Sequence, residues 1–192
     1  MSDFWPEIAP ARRSAMALLI IDMQIDFCAP GGWVDQLGED VSNTRAMIAP
    51  IQRVLAAARV AGITVIHTRE GHKPDLSDLP ANKQWRTRVH GLGIGDMGAT
   101  GRILVRGEPG WQIVPELAPI DGELIIDKPG KSSFYATDLE EQLQQRGIDR
   151  LVIVGVTSDC CVQSTFRDGF GRGLACVVLQ HWTAGVRAGN HA

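Results

Sequence analysis

Hydrophobic positions in this chain cluster into short runs that end abruptly in polar residues. Ala15–Ile21 (AMALLII) is almost wholly apolar and stops at Asp22. A run of this length without alternation predicts a strand covered on both faces, as in a parallel sheet. A polar turn containing Pro30, Gly31 and Gly32 follows. From Ser42 to Val60 the residues Ile48, Ile51, Val54, Leu55 and Ala58 recur at helical spacing, and Pro50 is expected to kink this helix or mark a restart. Gly62 ends the helix, and Ile63–His67 (ITVIH) predicts the second strand. Glu70 to Trp111 is then about forty residues of Gly, Pro and charge with little periodicity, a length that marks a functional loop or a lid.

Order returns at Glu123–Asp127 (ELIID), a strand, and Thr137–Gln145, a helix. Thr137 and Glu140 have the spacing of a capping box, and Gly147 supplies the stop. Leu151–Val156 (LVIVGV) predicts a strand, Cys160–Gly171 a helix and Leu174–Leu179 (LACVVL) another strand. Strands alternating with helices predict an α/β fold: a three-layer, doubly wound parallel sheet with helices on both faces. We expect one domain over residues 1–192. No final helix follows Leu179 to cover the last strand. The expectation there is an exposed sheet edge, a covering partner subunit in a homo-oligomer, or a C-terminally truncated chain.

Composition narrows the function classes. The chain has 192 residues, 44% hydrophobic and 21% charged, with a net charge of −3 and no basic block. That balance argues against nucleic acid or an anionic membrane as the main partner. No apolar run reaches the roughly 20 residues needed to span a bilayer. The stretch after Pro10–Arg13 is interrupted by Asp22 and is read as a core strand, not as a signal peptide. Cys28, Cys160, Cys161 and Cys176 form neither a metal-binding CxxC pair nor a dense disulfide framework, so a reducing cytoplasm is expected.

In open α/β sheets the ligand crevice lies beyond the carboxyl ends of the strands. After AMALLII comes Asp22; after ELII come Asp127 and Lys128; after LVIVGV come Thr157, Ser158, Asp159, Cys160 and Cys161. A carboxylate, an ammonium and a thiol thus converge on one rim, a combination suited to a nucleophile with its base and an electrostatic partner. A free thiol has a pKa near about 8.5 and is mostly protonated at neutral pH. A helix N-terminus and Lys128 would favour the thiolate, and Asp22 would take the proton. Each residue also has a plainer reading: a turn cap for Asp22, a solvated surface lysine for Lys128, a small buried residue for Cys161.

The segments LLIIDMQIDF (18–27), IDKPGKSSFYATDL (126–139) and IVGVTSDCCVQST (153–165) resemble, in this order, the isochorismatase-like cysteine hydrolase family. That family includes nicotinamidases, N-carbamoylsarcosine amidases and ureidoacrylate hydrolases. HTREGHKPDLSDLPANKQWR (67–86) and ILVRGEPGW (103–111) look closer still to its biuret and triuret hydrolase branch. The resemblance runs from about Ala17 to His191. It implies a catalytic Asp22, Lys128 and Cys161, and a cis peptide at Val156–Thr157 that turns the Thr157 N–H, beside that of Cys161, toward an oxyanion. It also implies substrate contacts from Phe27, Lys131 and Phe134. The implied substrate is a small carbamoyl or amide compound, biuret or triuret first, with a related amidase or an inactive binding homologue as alternatives; no cofactor is implied.

This chain departs from the family in three places. Cys160 stands where a Val or His is common, Gln180–Trp182 replaces a more acidic stretch, and the family's chains continue past the point matching His191 into a last helix and strand. Related nicotinamidases bind a metal through an Asp-x-His and further histidines. Here Glu70 and His72 are two possible ligands, with Asp78 where another histidine is expected, too few for a site of three or four, so no metal is expected. Gly93, Gly95 and Gly98 match a dinucleotide fingerprint in spacing but follow no strand and open no helix, so the match is formal. Cys28 and Cys176 are expected to be structural, Trp111 to serve packing, and Cys160 to point away from the site.

Overall fold

The computed structural model describes residues 12–89 and 91–186; Pro10, Ala11 and His191, which bound two of the readings above, lie outside them. In chain order the strands are β1 (Met16–Ile21), β2 (Thr64–Glu70), β3 (Met97–Gly98), β4 (Gly101–Arg102), β5 (Leu124–Lys128), β6 (Arg150–Val156) and β7 (Ala175–Ala184). The helices are α1 (Ile25–Cys28), α2 (Trp33–Gln36), α3 (Ser42–Ala46), α4 (Ile48–Ala61), α5 (Ala81–Arg88), α6 (Leu139–Gln145) and α7 (Gln163–Gly171). The main sheet has the order β5-β2-β1-β6-β7, and all its pairings are parallel.

The unbroken apolar character of β1 follows from its central place. Leu18 and Ile20 enter one core with Ile51, Leu55 and Ala58 of α4, while Ala17, Leu19 and Ile21 enter a second core with Leu139 and Leu143 of α6 and Val162. Successive side chains of a strand point to opposite faces, so a strand packed on both sides can spare no position for a polar residue. The helical stretch expected over Ser42–Val60 divides into α3 and α4, and Pro50 sits in the first turn of α4. Its missing N–H falls there among groups without an intrahelical partner, so the restart costs nothing in hydrogen bonding.

Three details differ from the sequence expectations. The helix α6 starts at Leu139 with Asp138 as its cap residue, and the capping box at Thr137 does not form. The Thr137 hydroxyl donates to the Ser133 carbonyl at 2.6 Å, which fixes the loop after β5 instead. The segment Glu70–Trp111 is not structureless: it contains α5 and the β3–β4 hairpin, across which Met97 pairs with Arg102. The last strand, β7, runs on through Gln180–Trp182, with an irregular register between Ile153 and Gly155 of its neighbour β6.

Candidate active site

Four neighbouring chain segments end at one point on the rim. Asp22 follows β1 with a positive φ of 50°, a conformation Asp tolerates better than most residues. Glu70 and Lys128 are the last residues of β2 and β5 and stand opposite each other in the ladder. Val156 ends β6, the Val156–Thr157 bond is cis, and a π-turn over Ser158–Val162 carries Cys161 into α7. Asp22, Glu70, Lys128 and Cys161 are all buried.

The contacts among them are short and specific. Lys128 Nζ lies 2.7 Å from Asp22 Oδ2 and donates at 3.0 Å to the carbonyls of Gly130 and Lys131. An ammonium has three protons, so these partners fix its position completely. Asp22 Oδ1 accepts from the Thr68 hydroxyl at 2.6 Å, and that hydroxyl also accepts from the Asp22 N–H at 3.2 Å. The Cys161 sulfur donates to Glu70 Oε2 at 3.2 Å. Ligating atoms of Asp22, Glu70 and Cys161 all lie within 4.8 Å of one another.

Glu70 is the centre of the charge distribution. Its Oε1 meets Lys83 Nζ at 2.6 Å and Lys131 Nζ at 2.9 Å, and its Oε2 lies 3.8 Å from Lys128 Nζ. Burial opposes ionisation of Glu70, but Lys131, Lys83 and Lys128 together hold its carboxyl well below the ordinary range. Burial likewise works against the ammoniums of Lys128 and Lys131, yet Asp22 and Glu70 raise the first and Glu70 the second above the usual lysine value. Two carboxylates, Asp22 and Glu70, face three ammoniums, Lys83, Lys128 and Lys131.

The surroundings of Cys161 pull in opposite directions, where the sequence suggested a helix terminus and Lys128 acting together to favour the thiolate. Contact with the Cys160 thiol, burial and the carboxylates of Asp22 and Glu70 push Cys161 well above the ordinary cysteine value, against the pull of Lys128. Cys160 does not point away. Contact with Cys161, together with the nearby cations Lys131 and Arg86, holds its thiol down to about 6. The π-turn, in place of the α-helical start assumed from sequence, keeps the two adjacent thiols together. Cys28 and Cys176 are buried, and burial raises them to about 12 and about 11, as suits thiols that serve packing.

Two open cavities lie nearby, the first reaching the Thr157–Asp159 turn and the second Lys83 and Lys131 of the cluster. One of about 600 Å³ is lined by Phe27, Trp33, Arg86, Thr87, Thr157 and Asp159 among others. The other, of about 430 Å³, is lined by Lys83, Arg86, Gly130, Lys131, Tyr135 and Ser164 among others. Phe27 and Lys131 therefore face space that a small molecule can enter. Phe134 lies in the core beneath α7, with its ring 4.9 Å from the Arg172 guanidinium. Trp111 is buried under the Arg69 guanidinium at 3.6 Å, and its carbonyl accepts from Gln24.

Sequence reasoning left out Lys83 and weighed Glu70 for a metal without giving it a place beside the cysteine. The rule used for Asp22 and Lys128, that chemistry follows the strand end, applies equally to Glu70. It went unused because Thr68, Arg69 and Glu70 are polar and hid the last three residues of β2. Lys83 Nζ lies between Glu70 and His72, 2.9 Å from His72 Nε2, while His72 Nδ1 lies 3.2 Å from Asp78 Oδ1. Lysine only donates, so His72 Nε2 accepts and Nδ1 carries the proton. An ammonium thus occupies the place between Glu70 and His72 that a metal would need, and this donor set does not fit one.

Comparison with known proteins agrees with this architecture. The isochorismatase domain model matches residues 16–192. A cysteine hydrolase from Pseudomonas syringae pv. phaseolicola is 30% identical with a TM-score of 0.78, over 92% of this chain and 75% of that one. An isochorismatase family protein from Desulfovibrio vulgaris is 29% identical with a TM-score of 0.76, over 92% and 85%. A pyrazinamidase/nicotinamidase from Streptococcus mutans is 25% identical with a TM-score of 0.70, over 92% and 91%. With a parallel sheet in the order described and a family match that spans all five of its strands, this chain belongs to the isochorismatase family.

Proposed function

We propose that the chain is a cysteine amidohydrolase that cleaves a C–N bond of a small carbamoyl or amide compound, with Asp22, Lys128 and Cys161 as its catalytic residues. The observation that carries this reading is the buried cluster in which the Cys161 sulfur and the carboxylates of Asp22 and Glu70 lie within 4.8 Å of one another, with Lys128 ion-paired to Asp22. A thiol, a base and a fixed cation in one water-poor site are the parts that nucleophilic acyl transfer needs.

Asp22 takes the proton of Cys161, and the sulfur attacks the carbonyl carbon. The C–S bond forms as the carbonyl π pair moves to oxygen, which the N–H groups of Thr157 and Cys161 hold. Lys128 stabilises the negative charge of the site. Asp22 then gives its proton to the departing nitrogen as the C–N bond breaks, and water hydrolyses the thioester. Biuret would yield ammonia and carboxylated urea; triuret, ammonia and carboxylated biuret. The resemblance of residues 67–86 and 103–111 favours these two substrates. Likeness to the pyrazinamidase/nicotinamidase supports nicotinamide as the second reading. All four cysteines are free thiols, which suits a reducing cytoplasm, and exposed Trp85 and Val89 beside the site suit contact with a second copy of the chain.

The test is ammonia or amine release from biuret, triuret, ureidoacrylate, N-carbamoylsarcosine and nicotinamide. We expect turnover of a carbamoyl substrate, its loss by about a thousandfold or more in Cys161→Ala, and retention of most of it in Cys160→Ala. A thiol-reactive substrate analogue should add its mass at Cys161. A folded sample that turns over none of the panel and forms no adduct overturns the enzyme reading in favour of a binding protein.

A further inference from the structure

We propose that Glu70 is a further catalytic residue, one that grips the Cys161 thiol by its hydrogen in the resting enzyme and releases the sulfur to Asp22 when substrate enters. The inference rests on Cys161 being the nucleophile. Three observations carry it. Glu70 Oε2 accepts from the sulfur at 3.2 Å. The carboxylate is wholly buried, so no water competes for that hydrogen. Its other neighbours are ammoniums, Lys83 and Lys131 within 3 Å of Oε1 and Lys128 at 3.8 Å from Oε2.

Those cations decide what Glu70 is able to do. A carboxylate paired with three ammoniums has little affinity for a proton, so Glu70 accepts a hydrogen bond and does not become the base. Its negative charge, in contact with the sulfur, opposes thiolate formation and offsets the pull of Lys128. The groups facing Cys161 are Asp22 from β1, Glu70 from β2, Lys128 from β5 and Cys160 from its own turn; Lys131 and Lys83 act on it through Glu70. When substrate arrives, the S–H···Oε2 hydrogen bond breaks, the proton passes from sulfur to an Asp22 oxygen, and the electron pair left on sulfur forms the C–S bond. The nucleophile therefore becomes reactive on substrate binding and stays protected from adventitious electrophiles before it.

The experiment is the pH dependence of iodoacetamide alkylation at Cys161, read by peptide mass spectrometry in a Cys160→Ala background so that one thiol reports. Glu70→Gln keeps the shape and removes the charge. The alkylation midpoint should fall by about one pH unit or more, roughly tenfold faster reaction below both midpoints. A midpoint that stays or rises overturns the proposal, and a rise would identify Glu70 as the base. If Glu70→Gln does not fold, as a thermal melt would reveal, Glu70→Asp carries the test: the charge remains but withdraws by one methylene, and the midpoint should fall by less; no fall overturns the proposal. Alkylation needs no turnover. Failure of the substrate panel thus leaves this result standing, and an unmoved midpoint leaves the amidohydrolase reading standing.

Discussion

Asp22 shows how closely a single side chain depends on its supports. Its backbone holds a positive φ, and its carboxylate is held from one side by Lys128 and from the other by the Thr68 hydroxyl. That hydroxyl makes two bonds to one residue, which locks the carboxylate orientation relative to the sulfur. Thr68→Val keeps the shape and removes both bonds, leaving buried polar atoms unmatched. We expect kcat for amide hydrolysis to drop about tenfold with little change in KM, because orientation matters to the reaction more than to binding. Steady-state kinetics on the best panel substrate checks this. Asp22, Lys128 and Cys161 were legible in the sequence because each follows an apolar run. Thr68 was not, because a threonine within a strand has nothing local to mark it as the partner of a residue 46 positions earlier.

At the scale of elements, the β1–β6 contact sets the distance between Asp22 and the turn that carries Cys161. Gly155 pairs with Ile21 and has φ of +112°, and a Cβ there would lie 2.2 Å from the Ile21 carbonyl oxygen. Gly155→Ala should destabilise the fold by about 2–4 kcal/mol, through strain and overlap combined. Urea denaturation measures this, with Gly171→Ala as the control: nothing lies within 4 Å of its added methyl, and its stability should stay within about 1 kcal/mol. The helix α5 teaches the opposite lesson about legibility. Its apolar residue Trp85 and the following Val89 are exposed, while the positions turned inward are Lys83 and Thr87. An inverted pattern of this kind has no apolar stripe for periodicity to detect. Lys83 is turned inward by Glu70, His72 and the Pro129 carbonyl, all brought close only by the fold.

Across the whole molecule, α4 is tied to the sheet by a partly buried ion pair. Arg59 of α4 donates to both carboxylate oxygens of Glu123 at 2.8 and 3.0 Å, and His67 of β2 lies 3.1 Å from the same carboxylate. Burial works against the Glu123 anion, but Arg59, the Ile120 N–H and His67 hold it from the ordinary 4.5 down to about 2. A depressed carboxyl pKa stabilises the fold above the unfolded value, and the benefit is lost as pH falls from 4.5 to about 2. Burial also lowers His67 from its ordinary 6.5, so acid favours unfolding from that side as well, beginning as pH drops below 6.5. Glu123→Gln should lower stability at pH 7 and flatten the part of the acid limb between 4.5 and 2. Denaturant titrations at pH 7, 5 and 3 would show it, and a steep limb retained in the variant would assign acid sensitivity elsewhere.

The sequence by itself determined the parallel α/β architecture, because burial on both faces of a strand and one face of a helix writes itself as local periodicity. It also placed a carboxylate, an ammonium and a thiol at strand ends, since the end of an apolar run is visible in one dimension. Only the tertiary structure decided which charges meet. Glu70, Lys83, Lys131 and Cys161 come from separate segments, and their interaction is through-space electrostatics in a buried site, where distance and lost solvation set protonation. That physics brings the Cys161 sulfur within 3.2 Å of Glu70, a contact that no local pattern encodes.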